Sequence, residues 1–325
     1  MQKDWKKQSV LLAGCGSIGK RHARVLSSLG INDIWAFDID KNQLSALISE
    51  VPTVKSVDSF EAGLAGAPDA VFVLTPPKLH IEMAIKAIDA GCHVFSEKPI
   101  SDSMDGIEEL KKTVLRSGKK MMVGLCFRYH DGLLAAKKIL AEGSIGRLVS
   151  IRALMGEHLP LVRPDYKTLF TSMYSGAFDL MHEIDLAVWF SGQRAKSVKA
   201  MYGTYSDIGI QAPDLVEILI EFQDRCLASV HLDFFQQPRR RQIELIGTAG
   251  TIVVEFASWD EYTLSIYRAK KADWEITKAK TTRDDMFKKE DMEFLRIIAE
   301  NRTVACDIGE ACKSLEIVLA AQNVN

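Results

Sequence analysis

Ser9-Val-Leu-Leu-Ala-Gly14-Cys-Gly16-Ser-Ile-Gly19-Lys20 is the stretch from which the fold can be read. Val10 to Ala13 is an apolar run of the length of a buried strand. Gly14, Gly16 and Gly19 then give G-x-G-x-x-G, and Lys20 to Leu29 reads as a helix. In this spacing the first glycine allows a tight turn, the second lets the backbone approach a pyrophosphate, and the third lets helix pack on strand. The N–H groups of the helix start, at Ser17 and Ile18, would face the phosphates with the positive end of the dipole. A second apolar stretch, Ile34 to Phe37, ends in Asp38, roughly 20 residues past the glycines. A carboxylate there accepts hydrogen bonds from the adenosine ribose and repels a 2′-phosphate, so NAD is expected and NADP disfavoured. The competing reading is a glycine-rich turn of another α/β fold with Asp38 solvated. Strand, turn, helix, strand and acid in succession favour the dinucleotide site.

The 325 residues suggest two domains. A chain 47% hydrophobic and 26% charged can bury a substantial core. The net charge is -2 with no basic block, which argues against a nucleic-acid partner. No apolar run approaches the roughly 18 residues of a membrane helix. The polar start, Met1 to Gln8, leads straight into a strand, so no signal peptide and a cytoplasmic location are expected. Cys15, Cys92, Cys126, Cys226, Cys306 and Cys312 form no Cys-x-x-Cys, and they read as reduced thiols rather than disulfides or a metal site.

From Val10 to Cys126 strand-like and helix-like stretches alternate, as in a doubly wound parallel sheet. The strand-like runs are Val10–Ala13, Ile34–Phe37, Ala70–Leu74, His93–Ser96 and Met121–Cys126. Ligands of such sheets lie beyond the carboxyl ends of the strands. The third run ends in Thr75-Pro76-Pro77, with His80 opening a helix. That turn either lies against the nicotinamide ribose or is a plain strand-to-helix connection. The fourth ends in Ser96-Glu97-Lys98-Pro99. An ammonium at that strand end can exchange a proton with a substrate hydroxyl, and Glu97 can position it or the cofactor. Composition alone would favour a surface ion pair before a turn.

The Gly-Cys-Gly-Ser-Ile-Gly loop, the Thr-Pro-Pro-x-x-His turn and Gly91-Cys-His-Val-Phe-Ser-Glu97-Lys98-Pro99 together resemble the Gfo/Idh/MocA oxidoreductase family. That family includes glucose-fructose oxidoreductase and inositol dehydrogenase. The resemblance implies an NAD-binding Rossmann domain over 1–126 and an α+β substrate-binding and oligomerisation domain over 127–325. It implies a catalytic role for Lys98 and cofactor contacts from Thr75, Pro76, His80 and Glu97. Where the family often carries asparagine and a further arginine, this chain has Cys126 and Phe127, followed by Arg128.

Beyond residue 146 the patterns at Leu148–Met155, Ser197–Tyr205, Leu215–Phe222, Cys226–Phe235, Gln242–Ile246, Thr251–Phe256 and Thr263–Tyr267 read as strands. Short turns between them imply a mixed or antiparallel sheet with an open face, a natural surface for a homodimer or homotetramer. Helices are expected at Asp284–Glu300 and Ile308–Ala320. Tyr174 to Phe190 breaks the sheet pattern. Asp179, His182 and Asp185 are spaced as neighbours on a helix, giving the imidazole a carboxylate one turn to each side. Alternatively the histidine is buried and satisfied, with Asp179 a first-turn charge. The family places an aspartate and a histidine on this helix, which implies catalytic roles for Asp179 and His182. Their spacing resembles a subgroup associated with surface-polysaccharide sugars.

Lys98, Arg128, Arg163, Tyr174, Asp179 and His182 are the expected substrate contacts, and Arg239-Arg240-Arg241 reads as a phosphate site or a solvated turn. The implied reaction moves a hydride between NAD and a carbinol carbon of a sugar, cyclitol or nucleotide sugar. An NAD-dependent glycosidase and a non-catalytic NAD-binding regulator are the alternatives on the same fold.

Overall fold

Near-continuous apolar runs make parallel strands buried on both faces, and such runs build the first of two units. A computed structural model describes residues 4–170 and 176–323. The first unit comprises the chain up to Cys126 together with Asp284–Leu315. Its strands are β1 (Ser9–Ala13), β2 (Asp33–Phe37), β3 (Val54–Ser56), β4 (Ala70–Val73), β5 (His93–Glu97) and β6 (Met121–Gly124). They form one parallel sheet in the order β3-β2-β1-β4-β5-β6, the order of a dinucleotide-binding Rossmann fold. The connecting helices are α1 (Ser17–Ser28), α2 (Lys41–Glu50), α3 (Phe60–Ala65), α4 (His80–Asp89) and α5 (Ile107–Ser117). The order reverses between β1 and β4, so the glycine loop and the Thr75 turn leave the sheet side by side.

The expected strand Met121–Cys126 stops at Gly124, because the Leu125 N–H turns back to the Val123 carbonyl at 3.0 Å. The edge strand β3 escapes a sequence reading because only Val54 of its three residues is buried.

The second unit comprises Phe127–Arg283 and the chain from Glu316 on. Here the elements are α6 (Asp131–Ala141), β7 (Leu148–Gly156), α7 (Leu159–Val162), α8 (Tyr166–Leu169) and α9 (His182–Ser191). Then come β8 (Ala195–Gly203), β9 (Leu215–Phe222), β10 (Leu227–Asp233), β11 (Arg240–Gly247), β12 (Gly250–Glu255), β13 (Glu261–Arg268) and β14 (Asp273–Lys280). The eight strands run β14-β13-β12-β11-β7-β10-β9-β8, with β7 and β10 parallel and the other neighbours antiparallel. Burial alternates along β9, with Val216, Ile218, Ile220 and Phe222 buried and Glu217 and Leu219 exposed. Such alternation marks a sheet covered on one face. The edge strand β14, absent from the sequence reading, exposes almost every residue and carries two lysines, a common way of blunting an edge.

Two helices close the chain, α10 (Arg283–Glu300) and α11 (Ile308–Gln322). A second domain running unbroken over 127–325 is not what the contacts give. Residues 284–315 join the first unit, where α10 buries Phe287, Phe294 and Leu295 and the Gln8 side chain donates to the Leu295 carbonyl at 2.8 Å. Among the described residues no helix is long and apolar enough to cross a membrane.

Candidate functional site

The glycine loop shows why each glycine stands where it does. Gly14 has φ +110°, and a Cβ there would lie 2.6 Å from the Leu74 carbonyl oxygen. Its N–H donates to the Phe37 carbonyl at 2.9 Å, joining the loop to the end of β2. A Cβ on Gly19 would lie 2.1 Å from the Gly14 oxygen. A Cβ on Gly16 would meet nothing within 4 Å. Gly16 also caps α1 without a side chain, so no side-chain acceptor occupies the amides of the first turn, Ser17 and Ile18 among them. Asp38 is fixed at the end of β2, one carboxylate oxygen accepting the Cys15 N–H at 2.6 Å and the other the Asp40 N–H at 2.8 Å. A carboxylate has lone pairs left for ribose hydroxyls after two such bonds. Burial, and then the Asp38 charge, pushes the Cys15 thiol up to about 12, so it stays a neutral part of the loop. An open position at Gly16, an uncapped helix start and a held carboxylate together fit a dinucleotide.

At the neighbouring strand ends, two of the expected cofactor contacts are built differently. His80 is buried, with Nδ1 2.8 Å from the Pro99 carbonyl and Nε2 2.7 Å from the Thr75 carbonyl. It ties the Thr75 turn to the Pro99 turn rather than presenting its ring to a ligand. Burial lowers its pKa, and the two carbonyls oppose that shift. Glu97 is also buried and faces inward. One carboxylate oxygen accepts the Lys98 N–H at 2.9 Å, and the other lies 3.3 Å from His22 Nε2. Thr75 is half-buried with its hydroxyl 3.6 Å from the Met83 sulfur, and Pro76 is exposed. Lys98 is half-buried, one residue past β5.

The helical spacing of Asp179, His182 and Asp185 does not survive intact. α9 begins at His182, and Asp179 is exposed on the preceding 3-10 turn, Gly176–Leu180. That turn is pinned from outside, since the Ala177 N–H donates to the Pro213 carbonyl at 2.8 Å. Asp185 does not flank His182 as a free carboxylate. It is buried and takes a two-pronged ion pair from Arg128, Nε at 2.9 Å and Nη2 at 2.7 Å. Arg128, expected at the substrate, is therefore a buried structural cation 5% exposed.

The next residue of α9, Glu183, pairs with Arg241 in the same manner at 2.6 and 3.0 Å. The Arg241 guanidinium in turn lies 3.7 Å from the Phe127 ring centroid, and His182 meets that ring edge-on at 4.9 Å. The three arginines are thus not one phosphate patch. Arg241 is buried, Arg239 bonds Glu157 at 3.0 Å and stacks on Trp259, and only Arg240 is exposed. Arg163 is exposed after α7. Tyr174 lies outside the described residues.

The sequence reading missed His22 and Asp291. Their signal was there: His22 follows Gly19 by three and precedes Ala23 and Leu26 on the buried face of α1, and Asp291 stands on the apolar face of α10 between Phe287 and Phe294. A titratable residue on a buried face is the feature to look for.

An oxidoreductase family described as having an NAD-binding Rossmann fold, GFO_IDH_MocA, matches residues 8–125, and the GFO/IDH/MocA C-terminal domain matches residues 133–253. An inositol 2-dehydrogenase/D-chiro-inositol 3-dehydrogenase of Lacticaseibacillus casei is 26% identical over 248 residues, covering 74% of this chain and 70% of that protein. The inositol 2-dehydrogenase of Klebsiella pneumoniae (strain 342) is 27% identical over 200 residues, covering 58% of this chain and 56% of that protein. The solved structure of a levoglucosan dehydrogenase in complex with NADH and levoglucosan superposes with a TM-score of 0.85 at 21% identity, covering 98% of this chain and 97% of that one. The myo-inositol 2-dehydrogenase of Lactobacillus plantarum gives 0.83 at 22%, with 98% and 97% covered. At such identities the superpositions speak for the fold.

Proposed function

Since the chain belongs to the Gfo/Idh/MocA oxidoreductase family and carries its NAD-binding Rossmann domain, we propose that it moves a hydride between NAD and a carbinol carbon of a sugar or cyclitol. The observation that carries this reading is Lys98 at the carboxyl end of β5, on the same parallel sheet whose β1 and β2 carboxyl ends bear the glycine loop and Asp38. The inositol and levoglucosan dehydrogenases among the relatives support a polyhydroxylated substrate.

NAD, when bound, supplies the hydride acceptor at its nicotinamide carbon. Gly14, Gly16 and Gly19, with the amides of Ser17 and Ile18, bind the pyrophosphate, and Asp38 binds the adenosine ribose. As the carbinol carbon gives up its hydride, its hydroxyl gives up a proton to Lys98 or His182. In the reverse direction the same group returns it to the carbonyl oxygen. Asp179 is proposed as an accessory carboxylate on the turn leading into His182, and Arg163 as a substrate contact.

Asp38→Ala removes a charged acceptor from two ribose hydroxyls and the repulsion against a 2′-phosphate. A hydrogen bond to a charged group contributes about 1.5–3 kcal/mol. NAD affinity should therefore fall about tenfold or more, with little loss of NADP affinity, when both are titrated calorimetrically. Equal loss for the two cofactors would contradict the assigned role.

The exposed sheet face carries Met201, Leu219 and Leu227 at 73%, 49% and 47% exposure. Apolar side chains of this size on an open sheet face suit a self-association surface, and a homodimer or homotetramer is the proposed state. Sedimentation equilibrium should report a mass at least twice that of the chain; a monomer at micromolar concentration would refute it.

The reading as a whole is tested by a panel of inositols, monosaccharides and nucleotide sugars with NAD, and their keto forms with NADH, followed at the NADH absorbance. Turnover with a polyol class supports it. Sugar release from a glycoside without net NADH would move the assignment to a hydrolase.

A further inference from the structure

Three ionisable side chains meet inside the apolar core of the first unit, and none is used by the chemistry above. His22, on α1, is fully buried. Its Nδ1 lies 2.9 and 3.1 Å from the two oxygens of Asp291, itself fully buried on α10. Its Nε2 lies 3.3 Å from Glu97, whose other oxygen accepts the Lys98 N–H at 2.9 Å. Phe72, Phe95 and Phe287 surround the imidazole with centroids 5.2–5.6 Å away. Gly124 leaves the room that Glu97 and Phe95 need, since a Cβ there would stand 2.9 Å from the Phe95 ring and 3.4 Å from the Glu97 oxygen.

An apolar box is an expensive place for ions, and well-packed hydrophobic residues in place of a buried pair often leave stability unchanged or raised. The polar chain therefore needs a reason beyond stability. We infer that Asp291 and His22 are positioning residues. They hold the Glu97 carboxylate by one oxygen so that its other oxygen fixes the backbone of Lys98. The direction of the chain supports this. Asp291 anchors Nδ1, which leaves Nε2–H to donate to Glu97. Burial alone would lower the pKa of His22, but the Asp291 charge, its hydrogen bond and that of Glu97 raise it to about 10, so both ring nitrogens carry protons at neutral pH. Glu97 is then bound from the core side by the imidazolium and from the strand end by the Lys98 amide.

The inference rests on Lys98 being the proton-transfer group only for its consequence, and its test is independent of turnover. Asp291→Asn keeps the shape and removes the charge that holds the second proton on His22. Amide hydrogen exchange, read residue by residue by NMR, should show the Lys98 N–H exchanging about tenfold faster, the equivalent of one hydrogen bond. The amides of β1 and β4 should keep their protection. Should Asp291→Asn fail to fold, the paired His22→Leu/Asp291→Leu variant offers an apolar core and makes the same prediction for Lys98. An unchanged Lys98 amide in either folded variant would overturn the proposal. So would protection lost equally across β1, β4 and β5, which is the signature of general core stability. Turnover of Lys98→Ala reports separately on the chemistry. If that variant is fully active while Asp291→Asn frees the Lys98 amide, the functional reading fails and the positioning chain stands.

Discussion

Lys98→Ala should lower kcat by about 10²–10⁴-fold, the usual loss on removing a general acid or base. NAD binding should persist, because the glycine loop and Asp38, which hold the cofactor in this account, lie on other loops of the first unit. His182→Ala should fall in the same range if it is the second proton carrier. The Glu183–Arg241 and Asp185–Arg128 pairs, on the residues that follow it, hold the head of α9. Steady-state kinetics with NAD and substrate varied independently separate the two effects. A fall in kcat with an unchanged NAD dissociation constant supports proton transfer. Turnover within threefold of wild type for both variants would remove Lys98 and His182 from the chemistry.

The second large effect is structural. Arg241→Ala leaves Glu183, 1% exposed, buried without its bidentate partner. Burial already pushes the Glu183 pKa above the usual carboxylate range, with Arg241 opposing that rise. Taking one member from a buried pair typically destabilises by about 3–5 kcal/mol. The packing of the guanidinium on Phe127 is lost as well. The melting temperature should drop on the order of 10 °C. Replacing both members, as Glu183→Leu with Arg241→Met, should recover most of that loss, because the penalty comes from the orphaned charge rather than from the missing pair. Calorimetric scans of the single and double variants check this. A double variant no more stable than Arg241→Ala would mean that the ion pair itself, not the avoidance of a lone buried charge, stabilises the unit.

Much of this molecule was legible in one dimension because its decisive features are local. A strand, a glycine turn, a helix and an acid in succession report the first βαβ unit, and buried parallel strands announce themselves as short apolar runs. What escaped was governed by long-range pairing. β14 is a strand because Glu261 to Arg268 offers it an edge, and its own sequence, rich in exposed polar residues, carries only the weak alternation of Trp274 and Ile276. α10 reads correctly as a helix, yet nothing within it says that its apolar face belongs to the first unit.

The site shows the same division. The spacing placed the glycine loop and Asp38 where they stand, just past the ends of β1 and β2. Arg128 and Arg241 read as candidate ligand cations because a sequence does not reveal that Asp185 and Glu183 take up their guanidinium groups. His80 follows the Thr-Pro-Pro turn as expected, but its two ring nitrogens are turned onto backbone carbonyls. In each case an ionisable side chain close to a strand or helix end serves to hold that end in place.

Deuterium transfer tests directly whether a hydride passes from a polyol to NAD. Inositols and sugars deuterated at their carbinol carbons are incubated with the enzyme and NAD, and the mass of the cofactor is read in time. NADH should form carrying one deuterium in place of hydrogen, about one mass unit heavier, at a rate that collapses in Lys98→Ala. Bound NAD that never acquires deuterium from any polyol, together with bound NADH that never delivers it to the matching ketones, would contradict it.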